Sequence, residues 1–210
     1  EALINPVNLL LGFAVLFLAR VLGLMYLENS IDDKELTASI KKALVRNAVP
    51  FLLFFLAFVA AILLGKGYRA DPVTGEVTLV KYHYLHNLAG NVVTLVLFAG
   101  GVILVLVSLW LGIFRGSRRA IWYAGFGTVP VVIALFLMAG YGETAFYPSS
   151  TDPGSSLTLA KASSSYFTLK TMMYVSFIIP FVVAYIWYAW IAITRSRITR
   201  EELAGDDHTY

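Results

Sequence analysis

The chain has no cysteine, so disulfides and thiolate metal ligation are excluded over all 210 residues. Charge is scarce too: Asp, Glu, Lys and Arg make up 14% of the residues, against about 25% in soluble domains. No G-x-x-x-x-G-K-[ST], G-x-G-x-x-G, H-E-x-x-H or G-x-S-x-G pattern occurs, which sets aside soluble-type nucleotide and hydrolase chemistry. The opening EALINPVNLL carries an acidic residue and no basic flank, so it does not read as a signal peptide. It also lacks an initiator Met, and a preceding segment is expected.

What remains is apolar. Hydrophobic residues make up 59% of the chain, and the mean hydropathy is +0.75. Five windows, near 6–28, 46–65, 88–114, 120–142 and 171–194, approach or exceed the roughly 20 helical residues that cross a bilayer core. Each is continuous and too long for a barrel strand. The expected fold is therefore all-α: a polytopic membrane bundle of five transmembrane helices forming one domain, with an outer loop at 143–170.

Net charge is +3, and its placement is more informative than its sum. Lys34, Lys41, Lys42, Arg46, Arg115, Arg118, Arg119, Arg195, Arg197 and Arg200 fall on one side of the alternating spans. Lys66, Arg69, Lys81, Lys161 and Lys170 fall on the other. The positive-inside rule then places the N-terminus outside and the C-terminus in the cytoplasm. Trp110, Trp122, Trp187 and Trp190 sit near the same basic ends, where an interfacial aromatic belt is expected. The basic pI of about 9.1 is explained by this orientation, with no nucleic-acid partner required.

Between the spans, 29–45 reads as a short polar helix at the cytoplasmic face, with Ser30–Asp33 as a capping-box variant. ADPVTGEVTLV suggests two β-like pieces turned by Pro72 and Gly75. RGSRR permits only a tight helical hairpin, and Gly90, Gly100, Gly101, Gly125 and Gly127 allow its helices to approach closely. Pro130 and Pro180 are expected to bend the last two spans.

A few residues stand out chemically. His83 and His86 have H-x-x-H spacing, which would suit a metal or haem. No third ligand except Lys81 stands nearby, however, Tyr82 and Tyr84 suit a membrane interface, and interfacial decoration is the favoured reading. His208 lies in the acidic tail. Arg20 falls about two-thirds through the first span, where a charge costs roughly 2.5–3.5 kcal/mol on insertion scales. Three readings stay open for it: a structural pair with a carboxylate on another helix, a place beside a quinone head group or haem propionate, or snorkelling. Glu28 and Glu143, at span ends, read as solvated, with Glu143 placed to orient the loop that follows.

That loop, YPSSTDPGSSLTLAKASSSYFTLKTM at 147–172, is a Ser/Thr-dense island between two apolar runs. Its hydroxyls are expected to cap the last helix through Thr168 or Thr171 and to satisfy loop backbone. The ordered words YPSST, SSLTL and KASSSYFTLKTM, the tail ITREEL and the first span INPVNLLLGFAVLFLARVLGLMYL resemble the C-terminal half of subunit II of cytochrome bd-type quinol oxidases. The resemblance runs from about Leu3 to Glu202. It implies a terminal oxidase that takes electrons from membrane ubiquinol or another quinol and reduces dioxygen to water, in a bacterial or archaeal cytoplasmic membrane. It further implies that haems b and d reside in a partner, subunit I, while this chain is haem-free, with no catalytic and no metal residue. A structural quinone, lipid and a small accessory subunit are the other implied associates; the cofactor-binding candidate, Arg20, comes from its intramembrane position and not from the resemblance. The resemblance covers half of a family subunit, so either a fragment of a longer polypeptide or a subunit whose N-terminal half is a separate chain is expected, and the acidic, Met-less start favours the fragment. Half of a membrane transporter or channel is the alternative, favoured by Pro130, Pro180 and Arg20.

Overall fold

The computed structural model describes residues 5–31, 33–71, 74, 76–149 and 151–194. Pro72, Gly75, Arg195, Arg197, Arg200 and His208, as well as the tail, lie outside the described residues. Five helical spans have the length and hydropathy to cross a membrane: Pro6–Ser30, Glu35–Leu64, Val92–Arg115, Ala120–Gly140 and Tyr166–Ile193.

Helix α1 (Pro6–Ser30) starts on Asn5, whose side chain accepts from the Val7 amide at 2.9 Å. Pro6 follows at the first helical position, where a missing N–H is harmless. Helix α2 runs unbroken from Lys34 to Leu64. The separate polar helix expected at 29–45 does not form: Asn29 and Ser30 end α1, and 34–45 are the first turns of α2. Asp33 caps it, accepting from the amides of Glu35 and Leu36 at 2.8 and 3.3 Å. Beyond the cap the helix continues as one segment, passing through Pro50. Ile40, Leu44, Ala48 and Phe51 are all buried, and their spacing puts them on one face. At 1.5 Å per residue the 31 residues reach about 46 Å, so α2 overshoots a hydrocarbon core of about 30 Å.

Strands β1 (Lys66–Ala70) and β2 (Val77–Lys81) form an antiparallel hairpin in the register Lys66↔Lys81 to Ala70↔Val77. The short helix α3 (His83–Gly90) leads to Asn91, which caps α4 (Val92–Trp110) by accepting from the Val93 and Thr94 amides. A π turn, Leu111–Arg115, continues α4 and ends on Gly116 in the left-handed region at φ 57°. Helix α5 (Ala120–Gly140) passes through Pro130 as one segment.

Helices α1, α2, α4 and α5 form a four-helix body. Its core includes Val21, Met25, Leu44, Ala48, Phe51, Leu109, Ala120 and Ala124. Two of the five glycines expected at the α4–α5 contact produce it. A Cβ on Gly101 would lie 2.7 Å from the Gly127 carbonyl oxygen, and one on Gly127 would lie 2.8 Å from that of Gly101. Gly90, Gly100 and Gly125 have open space instead.

After α5, strands β3 (Ala145–Tyr147) and β4 (Leu157–Thr158) pair, and the single turn α6 (Leu159–Ala162) follows. The last span is two pieces, α7 (Tyr166–Ser176) and α8 (Ile179–Thr194). The Phe177–Ile178 step precedes Pro180, which has no amide to donate to the preceding turn. No α7 residue is buried, and Trp190 on α8 meets Tyr26 on α1 with ring centroids 6.2 Å apart. The last span stands off the four-helix body.

Gly127→Ala should destabilise the four-helix body by about 1–3 kcal/mol, because backbone must shift to admit the methyl. Gly125→Ala, facing open space, should be neutral or slightly stabilising. Equilibrium unfolding of the purified protein in detergent compares them, and equal stability of the two variants would refute the close contact.

Candidate functional site

Polar side chains gather at the two ends of the bundle. At the hairpin end, Tyr82 adopts φ 58°, unusual for a bulky residue. It reverses the chain between β2 and α3. Its amide donates to the Gly65 carbonyl at 3.0 Å, and its own carbonyl receives the His86 Nδ1–H at 2.8 Å. The reversal points His83 inward. Gly67 leaves room for it, since a Cβ there would sit 2.8 Å from the His83 Cβ.

His83 is buried, which corrects its reading as interfacial decoration. Its Nε2 lies 2.9 Å from Thr144 Oγ1. That hydroxyl donates its single proton to the Tyr141 carbonyl at 3.0 Å and accepts from Asn87 Nδ2 at 2.8 Å. With one donor and two acceptor positions per hydroxyl, all three contacts are satisfied together when His83 donates, as the Nε2–H form. Asn87 also donates to the Met138 carbonyl at 3.0 Å. One buried threonine thus joins α3 to the end of α5.

Around this hub, Ala70 donates its amide to the Glu143 carbonyl at 2.8 Å. Arg69 Nε donates to Glu143 Oε2 at 2.8 Å, and its Nη2 reaches the same oxygen. Glu143 is therefore not simply solvated: it is fixed by the hairpin at the root of the Ser/Thr loop. His83 and His86 are each committed to a protein oxygen, and among the described residues no three His, Asp or Glu side chains gather as a metal would require.

The loop hydroxyls attend to backbone. The Ser149 amide donates to the buried Ser156 Oγ at 3.0 Å, Gly154 donates to Asp152 Oδ1 at 3.0 Å, and Lys161 Nζ donates to the Gly154 carbonyl at 3.1 Å. The cap of the last span is Ser165, whose Oγ accepts from the Thr168 amide at 3.4 Å. Thr168 is the capped residue, not the cap, and Thr171 donates back to Phe167 inside the helix at 3.0 Å. The helix begins earlier than its apolar run suggests.

Two ionisable groups lie along α1 itself. Arg20 is exposed and, among the described residues, has no carboxylate partner. It lies on an exposed stripe with Leu9, Phe13, Leu16, Gly23 and Leu27, spaced as one helical face. Glu28 does the opposite: it is 2% exposed, buried at the basic end of the bundle. Its expected solvation is thereby overturned. The signal was in the phase of the helix, since Val21, Met25 and Glu28 share the core-facing side.

The family model described as cytochrome bd terminal oxidase subunit II matches residues 1–193. The chain is also similar to cytochrome bd-I ubiquinol oxidase subunit 2 of Escherichia coli strain K12, and equally to the proteins of that name in strains O6:H1 and O157:H7. Identity is 26% over 220 residues, covering 99% of this chain and 56% of each relative. The chain spans about half the length of the curated relatives it matches.

Burial, reinforced by the charges of Arg69 and His86 and partly opposed by Glu143, holds His83 below the usual histidine range. An opened hairpin exposes an ordinary imidazole, with a value of about 6.5. Docking strength from His83 is complete above that value and is lost as pH falls toward the lowered native one, because the opened form takes up the proton. Hydrogen-exchange protection of the β1–β2 amides, corrected for intrinsic rates, should drop by up to about tenfold per pH unit below it. His83→Asn should flatten this profile; a flat wild-type profile would contradict the assignment.

Proposed function

Because the chain belongs to the cytochrome bd terminal oxidase subunit II family, we propose that it supplies the haem-free membrane subunit of a quinol:oxygen oxidoreductase. In this reading a haem-bearing subunit I oxidises membrane quinol and reduces dioxygen to water. This chain packs against it, supports its assembly, and helps shape oxygen and proton access. The observation that carries the reading is a family match running through all five spans and the ordered Ser/Thr loop.

The residues present bear on each implied cofactor. Haem ligation does not fit the described histidines: His83 and His86 lie ahead of the third span and are hydrogen-bonded to protein oxygens. A quinone fits better on the outer face of α1. Arg20 offers guanidinium donors there in the midst of an apolar stripe, matching a ring of carbonyl acceptors on an apolar tail. An unpaired intramembrane cation normally faces a partner or a wet cavity, and here that is subunit I, a haem propionate or a bound quinone. Bound quinone would supply redox chemistry, and Arg20 would orient its head group.

The basic end, with Lys41, Arg115, Arg118 and Arg119, is assigned to the cytoplasm by the positive-inside rule. Arg115 stacks there over Trp110, 5.0 Å from the ring centroid, as an interfacial cation–π pair. The hairpin and the Ser/Thr loop then face outward, in a bacterial or archaeal cytoplasmic membrane.

Membranes containing the complex should show quinol-dependent oxygen uptake, and its absence from an intact, correctly folded complex would return the reading to a transporter. Arg20→Leu should lower the yield of assembled complex or its quinone content several-fold. Unchanged yield together with unchanged quinone content would remove Arg20 from either role.

A further inference from the structure

Glu28 is a buried group that the oxidase reading does not use. It lies in the last turn of α1, and neither carboxylate oxygen has a hydrogen-bond partner, nor does the neighbouring Ser30 hydroxyl. Two cations face it: Lys41 from α2, and Arg118 from the turn between α4 and α5. Neither hydrogen-bonds to it. Gly116 builds the site, because a Cβ on this left-handed residue would fall 2.6 Å from both Lys41 Cε and Nζ, and 3.5 Å from Glu28 Oε1. The bare glycine allows the ammonium and the carboxyl to lie side by side over the turn.

A buried carboxylate with no hydrogen bond pays a desolvation penalty of several kcal/mol, which a cation outside bonding contact offsets only in part. Two arrangements relieve it. In one the carboxyl carries a proton and is neutral. In the other it is ionised and the lysine ammonium, on its flexible four-carbon stem, moves into contact with it. The arrangement seen, with Lys41 held over Gly116 and both oxygens unbonded, suits the protonated acid.

We propose that Glu28 is a proton-exchange site at the basic end of the bundle, holding a proton when Lys41 rests over Gly116 and releasing it when Lys41 swings onto the carboxylate. The proton passes to water at that end, and no other bond is made or broken. The site stands on this geometry. Only its use rests on the oxidase reading, in which it becomes a position where protons bound for dioxygen reduction are loaded from the cytoplasm.

Infrared difference spectra of the purified complex, recorded between acid and neutral pH in H2O and D2O, test this directly. Wild type should show a protonated-carboxyl carbonyl band that persists above the ordinary carboxylate range and shifts in D2O. Glu28→Gln should remove that band. Lys41→Met should strengthen it at the same pH, and this second variant carries the test if Glu28→Gln fails to assemble. If Glu28→Gln removes no band, the carboxyl is permanently ionised and its partner is a donor from water or another subunit, which overturns the proposal. An unchanged band in Lys41→Met overturns the lysine switch. Neither readout depends on oxygen consumption, so loss of quinol-dependent uptake bears on the oxidase reading alone.

Discussion

A polar group at membrane depth must find its partner inside the protein, because hydrocarbon offers none and each unmet group costs several kcal/mol. This constraint orders the structure. It makes the spans helical and places Asn5, Asp33, Asn91 and Ser165 at helix starts, where side-chain oxygens meet free amides. It also turns the Ser/Thr loop inward on its own backbone. The same demand holds for any buried group, and just past the end of α5 buried Thr144 meets it with one hydroxyl whose three hydrogen-bond positions are taken by Tyr141, Asn87 and His83. Two groups on α1 stand outside this order. Arg20 points away from the four-helix body and Glu28 points into it, and neither is hydrogen-bonded among the described residues. Where local rules fail on otherwise consistent elements, function is the expected reason.

Packing tells the same story by other means. The close α4–α5 contact rests on Gly101 and Gly127, which bring two backbones together where lipid supplies no hydrophobic drive between helices. Helices α1 and α2 complete the body. The last span lacks such contacts and meets α1 through Tyr26 and Trp190. Its surroundings in the full assembly must therefore come from lipid or from other polypeptide, in keeping with a chain that spans 56% of its relatives' length.

Much of this was legible in the sequence. Hydropathy alone marks five spans, because a bilayer-length apolar run has few alternatives. The Asp71–Glu76 stretch reads as a hairpin turn, and the loop words point to the family. The rest depends on phase and on backbone reversals that composition does not encode. Glu28 reads as solvated from its place at a span end, yet the helical phase it shares with Val21 and Met25 turns it inward. His83 is buried because Tyr82 takes a left-handed conformation, which a tyrosine does not advertise. Residues 34–45 look like a separate surface helix because of their charge, but an unbroken apolar stripe fuses them to the span that follows. Which glycines approach is likewise a matter of face, and Gly100 and Gly101 differ in nothing else.

The central claim is that Arg20, left unmet on the exposed face of α1, is completed from outside this chain. A high-resolution structure of the assembled complex, purified through this chain, tests it most directly. The account predicts that the Leu16–Arg20–Gly23 face of α1 is covered by subunit I or a bound quinone, with an acceptor within hydrogen-bond distance of the Arg20 guanidinium. Acyl chains alone against that face, with Arg20 still unpartnered, would contradict it.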